Sequence, residues 1–472
     1  MNVDKLTSLT VSELLDLIRR GEVSPTELTS AYLERIERLN GRLNAYITVL
    51  KDEALRAAEE VERKIKQGEK LGSLCGVPIA IKDILDMKNI PTTCGSKVFV
   101  NEIASFDSTV VERLKGADAI ILGKLNMHEI AYGLTNENPH YGATRNPWDV
   151  ERISGGSSGG SAVAVAGDLC AASLGTDTGG SIRIPAALCG VVGLKPTYGR
   201  VSRFGCRALS WSLDHIGTLT KSVKDVALIL QVIAGYDSKD PVTVHSTTDY
   251  EDAFIEDIKG MKVGIPKDFF FEDIDEEIEY AIDKAVELMK ELGASVEEVE
   301  VPYAKYSRSI ALIIMACEAT SYYEKILLTH ANEFGQDIIA RLMLGRLFHA
   351  IDYLDAQRIR SFLIDKLERS MKDVDVLITP TTPITAPKIG ESTIKIRGKV
   401  TDVRTQLARF TSIWNLAGFP ALSIPCGFTN NNLPIGMQLI GKPFDEKSIL
   451  RLAYVYEQNT TWYRRRPPLS YS

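Results

Sequence analysis

The spacing of apolar positions along this chain changes several times, and each change marks an element. Over the first forty residues the apolar positions recur at helical spacing, framed by two start signals. In "TVSE", Thr10 and Glu13 fit a capping box; in "SPTE", Ser24 caps, Pro25 takes the first helical position and Glu27 completes the box. A third helix is predicted over roughly 52–67, ended by "KLGSLCG". From about residue 76 the apolar runs become short. "GVPIAIKDIL" reads as a buried strand, and "DSTVVERLKGADAIILGKLN" as helix, turn and strand. "MKVGIP" and "SVEEVEVP" predict strands on either side of the amphipathic helix "DEEIEYAIDKAVELMKELGA". Helices fill roughly 306–372, "VDVLITPTTP", "FPALSIPCGF" and "PIGMQLIG" return to strand, and "WYRRRPP" reads as a polar surface loop.

This alternation predicts an α/β protein whose central sheet is mixed, mostly parallel and covered by helices on both faces. No fixed-period repeat and no low-complexity linker divides the chain, so residues 1–472 are expected to form one large domain. Within it, 1–70 is a helical layer, 71–225 the core, and 226–472 the rest of the sheet with its covering helices.

Composition narrows the function. A formal net charge of −7 argues against broad affinity for nucleic acid or anionic membranes. The longest apolar run, "IALIIMAC" at 310–317, is far short of the roughly 18–20 residues a membrane span needs. No basic segment followed by an apolar one opens the chain, which predicts a cytoplasmic protein. Seven irregularly spaced cysteines with no C-x-x-C predict free thiols in a reducing compartment. The six histidines lack metal-ligand spacing, so neither a metal nor a cofactor is expected.

The candidate chemistry concentrates in "ISGGSSGGSAVAVAGDLCAASLGTDTGGSIRIP", from Ile153 to Pro185. A flexible Gly/Ser linker is the plain reading of "SGGSSGGS". A phosphate loop would need a lysine after the glycines, and the dinucleotide fingerprint is absent. "GGSSG" at 155–159 matches G-x-S-x-G, but the nucleophile elbow needs an apolar strand before it and a histidine near the end of the chain. Here "NPWDVERIS" precedes, and the last histidine is His349. A serine hydroxyl attacks only when a neighbour takes its proton, and a buried lysine can do so once its pKa falls. Lys82, the only charge in "GVPIAIK", either points into the interior or marks an exposed strand end paired with Asp83 or Asp86. "TDTGGS" either aims the N–H groups of Thr178, Gly179, Gly180 and Ser181 at one point, as a developing oxyanion requires, or makes a plain tight turn.

"GVPIAIKD", the long segment "NPWDVERISGGSSGGSAVAVAGDLCAASLGTDTGGSIRIPAALCGVVGLKPTYGRVS" and "NLAGFPALSIPCGF…LPIGMQLIG" together resemble the amidase signature family over about residues 8–458. The resemblance implies the amidase signature fold and a Ser–Ser–Lys set: Ser181 as nucleophile, Ser157 as a bridging serine after a cis peptide, and Lys82 as base. It implies an oxyanion hole from the N–H groups of Thr178, Gly179, Gly180 and Ser181. The activity implied is hydrolysis of a small-molecule amide through an acyl-enzyme. Two branches of the family compete. "FGCRALSWSLDHIGT" and "YGLTNENPHYGATRNPW" are closer to general amidases than to the glutaminase subunit of the tRNA-dependent amidotransferase. That glutaminase carries an acid where this chain has Ala408, whereas its carboxylate-gripping arginine has a counterpart in Arg341. A stand-alone amidase is therefore expected, active alone or as a homodimer; the alternatives are the amidotransferase glutaminase, with partner subunits, and a non-catalytic scaffold of the same fold. Met127, Tyr132, Ser158, Trp211 and Arg341 are the expected substrate-lining residues.

Overall fold

The structure is a computed structural model that describes residues 2–245 and 249–469. Its centre is an eleven-stranded sheet. In chain order the strands are β1 (Tyr46–Val49), β2 (Pro78–Lys82), β3 (Ile120–Leu125), β4 (Ala172–Asp177), β5 (Val192–Lys195), β6 (His215–Thr220), β7 (Lys262–Pro266), β8 (Ser295–Val299), β9 (Val376–Pro380), β10 (Ala421–Phe428) and β11 (Pro434–Gly441). Across the sheet they lie in the order β1-β3-β2-β4-β6-β5-β10-β11-β9-β7-β8.

The sheet is mixed, as predicted, but its parallel pairing is confined to two blocks. β3, β2 and β4 run parallel, as do β9, β7 and β8. Between the blocks, β4 through β6, β5, β10 and β11 to β9 is antiparallel throughout. The connection from β10 to β11 is a short hairpin, which can only join antiparallel strands. Every residue of β2, β3, β4, β5, β6, β9 and β11 is buried, so both faces of the sheet are covered.

The N-terminal layer forms as its caps predict: Thr10 with Glu13 and Ser24 with Glu27 each close a reciprocal capping box. It is not wholly helical, because β1 runs antiparallel to β3 and extends the sheet at that edge. The predicted helices of the later segment are Ser307–His330, Gln336–Gly345 and Ala350–Ser370. The first packs on the other two, and Ile314, Leu363 and Leu367 join Phe410 and Trp414 in a second apolar cluster beside the main core. The "WYRRRPP" tail is half-buried rather than a free loop. Arg465 lies over the Phe428 ring, and Arg466 donates to Ser8 O at 2.8 Å. All seven cysteines are free.

Candidate active site

The parallel block sets the site. β2 and β4 are adjacent and parallel, with Ile81 opposite Leu174, so Lys82 and the Thr176–Asp177 end of β4 emerge at the same sheet edge. Carboxyl ends of parallel strands are where open α/β sheets build their sites. Ser157 and Ser158 reach this point from a turn that opens the Gly159–Ala166 helix, which packs on β2 and β4. A short strand, Asp149–Ile153, does precede that turn, but it pairs with Arg145–Asn146 in a ribbon outside the main sheet. The Gly156–Ser157 peptide is cis.

Lys82 is completely buried. Its Nζ lies 2.7 Å from Ser157 Oγ, 3.0 Å from Ser158 Oγ and 2.7 Å from Thr176 Oγ1. Burial disfavours the ammonium and lowers the Lys82 pKa from 10.5 to about 7. The alternative partner, Asp83, is taken by a different cation: Lys124 Nζ lies 2.9 Å from Asp83 Oδ1, and both side chains are buried. The Ser158 hydroxyl donates to Thr176 O at 3.0 Å and accepts the Thr176 N–H at 3.2 Å. Ser158 O–H is thereby committed to the backbone, and toward Lys82 it can only accept.

Ser181 follows β4 on a turn that Asp177 holds. Asp177 Oδ1 accepts from Gly180 N at 2.7 Å, and Oδ2 from Ile182 N at 3.1 Å. Arg183, fully buried, donates to both carboxylate oxygens at 2.9 and 3.0 Å, and Asn415 Nδ2 adds 2.8 Å. Burial alone would raise the Asp177 carboxyl, but the Arg183 charge holds it well below the usual carboxylate range. Gly180 sits at φ +131°, and a Cβ there would fall on Thr411 Oγ1 and Ile184 Cδ1. The Gly180 N–H thus faces Asp177, not the cavity. The N–H groups of Thr178, Gly179 and Ser181 have no acceptor among the described residues. Thr178 Oγ1 donates to Asp214 Oδ1 at 2.6 Å, and burial pushes the Asp214 carboxyl up to about 6. The other Asp214 oxygen accepts Leu209 N and Ser210 N, which fastens the 209–214 strap over the turn.

A cavity of about 270 Å³ opens on this turn. Thr178, Gly179 and Ser181 form one part of its wall; Leu134, Leu209, Leu213, Ala311, Met315 and Leu344 supply much of the apolar remainder. Tyr132 and Arg341 also line it, and Arg308, Asp402 and Arg404 add charges that the sequence pattern did not single out. Met127 and Trp211 fall elsewhere. Met127, two residues beyond β3, is fully buried in the core, whereas Trp211 sits on the outer side of the strap, 45% exposed, in a separate shallow depression. Ser158 belongs to the Lys82 network beneath the cavity and does not line it. Thr176, Asp177, Arg183 and Asp214 were also missed; their one sequence signal was the polar density of "TDTGGSIR" and "SLDH".

A buried lysine among serine and threonine hydroxyls thus lies beside a turn whose Thr178, Gly179 and Ser181 N–H groups have no acceptor among the described residues. The chain belongs to the amidase family, whose members hydrolyse amide C–N bonds; it matches that family over residues 27–450. Among its relatives, a subunit of the glutamyl-tRNA(Gln) amidotransferase of Carboxydothermus hydrogenoformans is 43% identical over 98% of this chain and 100% of that protein. A chain from the inhibitor-bound structure of a vestigial protein complex, one that reveals the evolutionary origins of an s-triazine catabolic enzyme, superposes with a TM-score of 0.92 at 36% identity, covering 96% of this chain and 98% of that one. The corresponding glutamyl-tRNA(Gln) amidotransferase subunit of Thermotoga maritima superposes with a TM-score of 0.82 at 37% identity, covering 98% and 97%. No helix among the described residues is long and apolar enough to cross a membrane.

Proposed function

We propose that this chain is a cytoplasmic amidase that cleaves a small-molecule carboxamide by acyl transfer, with Ser181 as nucleophile, Ser157 as relay and Lys82 as base. The observation that carries this reading is the three-hydroxyl surround of Lys82. A neutral amine has two N–H donors and one lone pair. Ser158, whose proton goes to Thr176 O, takes one donor, and Thr176 Oγ1 takes the other. The lone pair is left for the Ser157 hydroxyl, 2.7 Å away.

Lys82 accepts the Ser157 proton, Ser157 accepts that of Ser181, and Ser181 Oγ bonds to the amide carbon. The carbonyl oxygen becomes an oxyanion facing the N–H groups of Thr178, Gly179 and Ser181, where each donor contributes about 3–4 kcal/mol to the transition state. Collapse breaks the C–N bond, and the proton returns through Ser157 to the leaving nitrogen. Water attacks the acyl-enzyme by the same relay, releases the carboxylic acid and restores Ser181. Gly180 is left out of this oxyanion site because Asp177 holds its N–H.

A second reading, the glutaminase of an amidotransferase with partner subunits, is favoured by relatives at 43% identity and by Arg341 on the cavity wall. Against it stands Ala408 on the same wall, where that branch carries an acid. The test is a substrate panel of glutamine, aliphatic amides and aryl amides, with Ser181→Ala as control. Turnover of simple amides by the isolated chain, lost in Ser181→Ala while the protein stays folded, is the expected result. Glutamine as the sole substrate, or activity only with co-purified partners, selects the second reading. Full activity of Ser181→Ala refutes both.

A further inference from the structure

Arg308 is unlike the other cations of the cavity. Arg341 is neutralised in place: its Nη2 lies 3.3 Å from Asp337 Oδ2, its Nη1 donates to Tyr132 O, and its guanidinium lies over the Tyr132 ring. Arg404 shares the same carboxylate at 3.8 Å. Arg308 lines the cavity yet has no hydrogen bond and no ion pair among the described residues. The acid of the same wall, Asp402, directs Oδ1 to the N–H and hydroxyl of Thr405 and lies beyond ion-pair distance of Arg308.

Arg308 is also misplaced for its helix. It stands in the first turn of Ser307–His330, a turn without an acidic residue, where the helix dipole disfavours a cation. Its neighbours in the cavity, Ala311, Leu312 and Met315, are apolar and offer no counter-charge. Three guanidiniums thus face two carboxylates: Arg341 and Arg404 share Asp337, while Arg308, exposed at the cavity, feels Asp402 only from beyond ion-pair distance and has its N–H fork uncommitted among the described residues.

We propose that Arg308 is a specificity-determining residue that binds a carboxylate on the substrate, so that the natural substrate is an amide bearing a second, anionic carboxyl group. A guanidinium is the donor suited to this task because its N–H fork matches the two carboxylate oxygens. The inference rests on Ser181 being the nucleophile of the same cavity.

The experiment compares matched pairs of primary amides that differ in a terminal carboxylate: succinamate with butyramide, glutaramate with pentanamide, adipamate with hexanamide. In at least one pair the wild-type protein is expected to favour the anionic member by tenfold or more in kcat/KM. Arg308→Ala lowers that preference at least tenfold; Arg308→Lys retains part of it. Calorimetric titration of Ser181→Ala with the same compounds reads recognition without turnover, and Arg308→Ala in that background is expected to abolish binding of the anionic member. No anionic preference in any pair by either readout, or a preference unchanged in Arg308→Ala, overturns the proposal. Persistent turnover in Ser181→Ala instead removes the reading on which it rests.

Discussion

Replacing Lys82 by methionine tests the central electrostatic claim. Methionine keeps an unbranched apolar chain in the same space and cannot titrate. In the native protein the Lys82 pKa is about 7, against 10.5 for the ordinary side chain. Between these values the unfolded chain binds more protons than the native one, so stability rises with pH across the window. Below about pH 7 the cost of burying the cation is present in full, about 5 kcal/mol. At pH 8 an unfolded Lys82 is almost fully protonated and the native one about a tenth so. Wild-type unfolding should therefore take up about 0.9 proton more than that of Lys82→Met. The excess disappears below about pH 6. The stability advantage of Lys82→Met correspondingly shrinks by about 2 kcal/mol from pH 7 to pH 9. Calorimetric unfolding in buffers of different ionisation enthalpy measures the proton uptake directly. The variant should be folded and inactive, while wild-type kcat/KM climbs with pH through about 7. Equal proton uptake by the two proteins at pH 8 would refute the reasoning, because Lys82 would then be an ammonium in the native state and unable to accept from Ser157.

Two further substitutions probe the turn that carries Ser181. Asp177→Asn leaves the Arg183 guanidinium fully buried without its counter-charge, and a loss of about 3–5 kcal/mol is expected in denaturant unfolding. Adding Arg183→Met to Asp177→Asn should recover much of that stability but not the activity, since the acceptor for Gly180 N–H remains altered. Gly180→Ala places a methyl group against Thr411 and Ile184 in a backbone region that L-residues rarely adopt. Its kcat should fall by about 10²-fold or more, and labelling of Ser181 by a serine-directed phosphonate should slow in step.

What could be read along the chain was whatever local pattern determines. The capping boxes at Thr10 and Ser24, the buried strand ending at Lys82 and the glycine pair before Ser181 are short-range signals, and each appears where expected. "YITV" carried too little pattern to betray β1, a four-residue strand between two strongly marked helices that shows only when β3 supplies its partner. The antiparallel middle of the sheet escaped for a related reason, since apolar runs report burial but not strand direction. Long-range pairing decided the rest. Sequence left Lys82 undecided between interior and surface; the structure decides it because β2 lies between β3 and β4, and because Lys124, forty-two residues on, claims Asp83. Asp177 stood in plain view in "TDTGGS", yet nothing near it announced Asn415 or the restraint on Gly180. Family likeness fared in the same graded way. Lys82, Ser157 and Ser181 are bound into the sheet and its turns; of the residues expected along the substrate, Tyr132 and Arg341 lie on the cavity wall and Met127, Ser158 and Trp211 do not. Specificity is written on that wall by helices outside the central motif, and Arg308 is hidden there inside an ordinary helical pattern. Its charge acquires meaning only when the fold sets it in a cavity whose other cations are already answered.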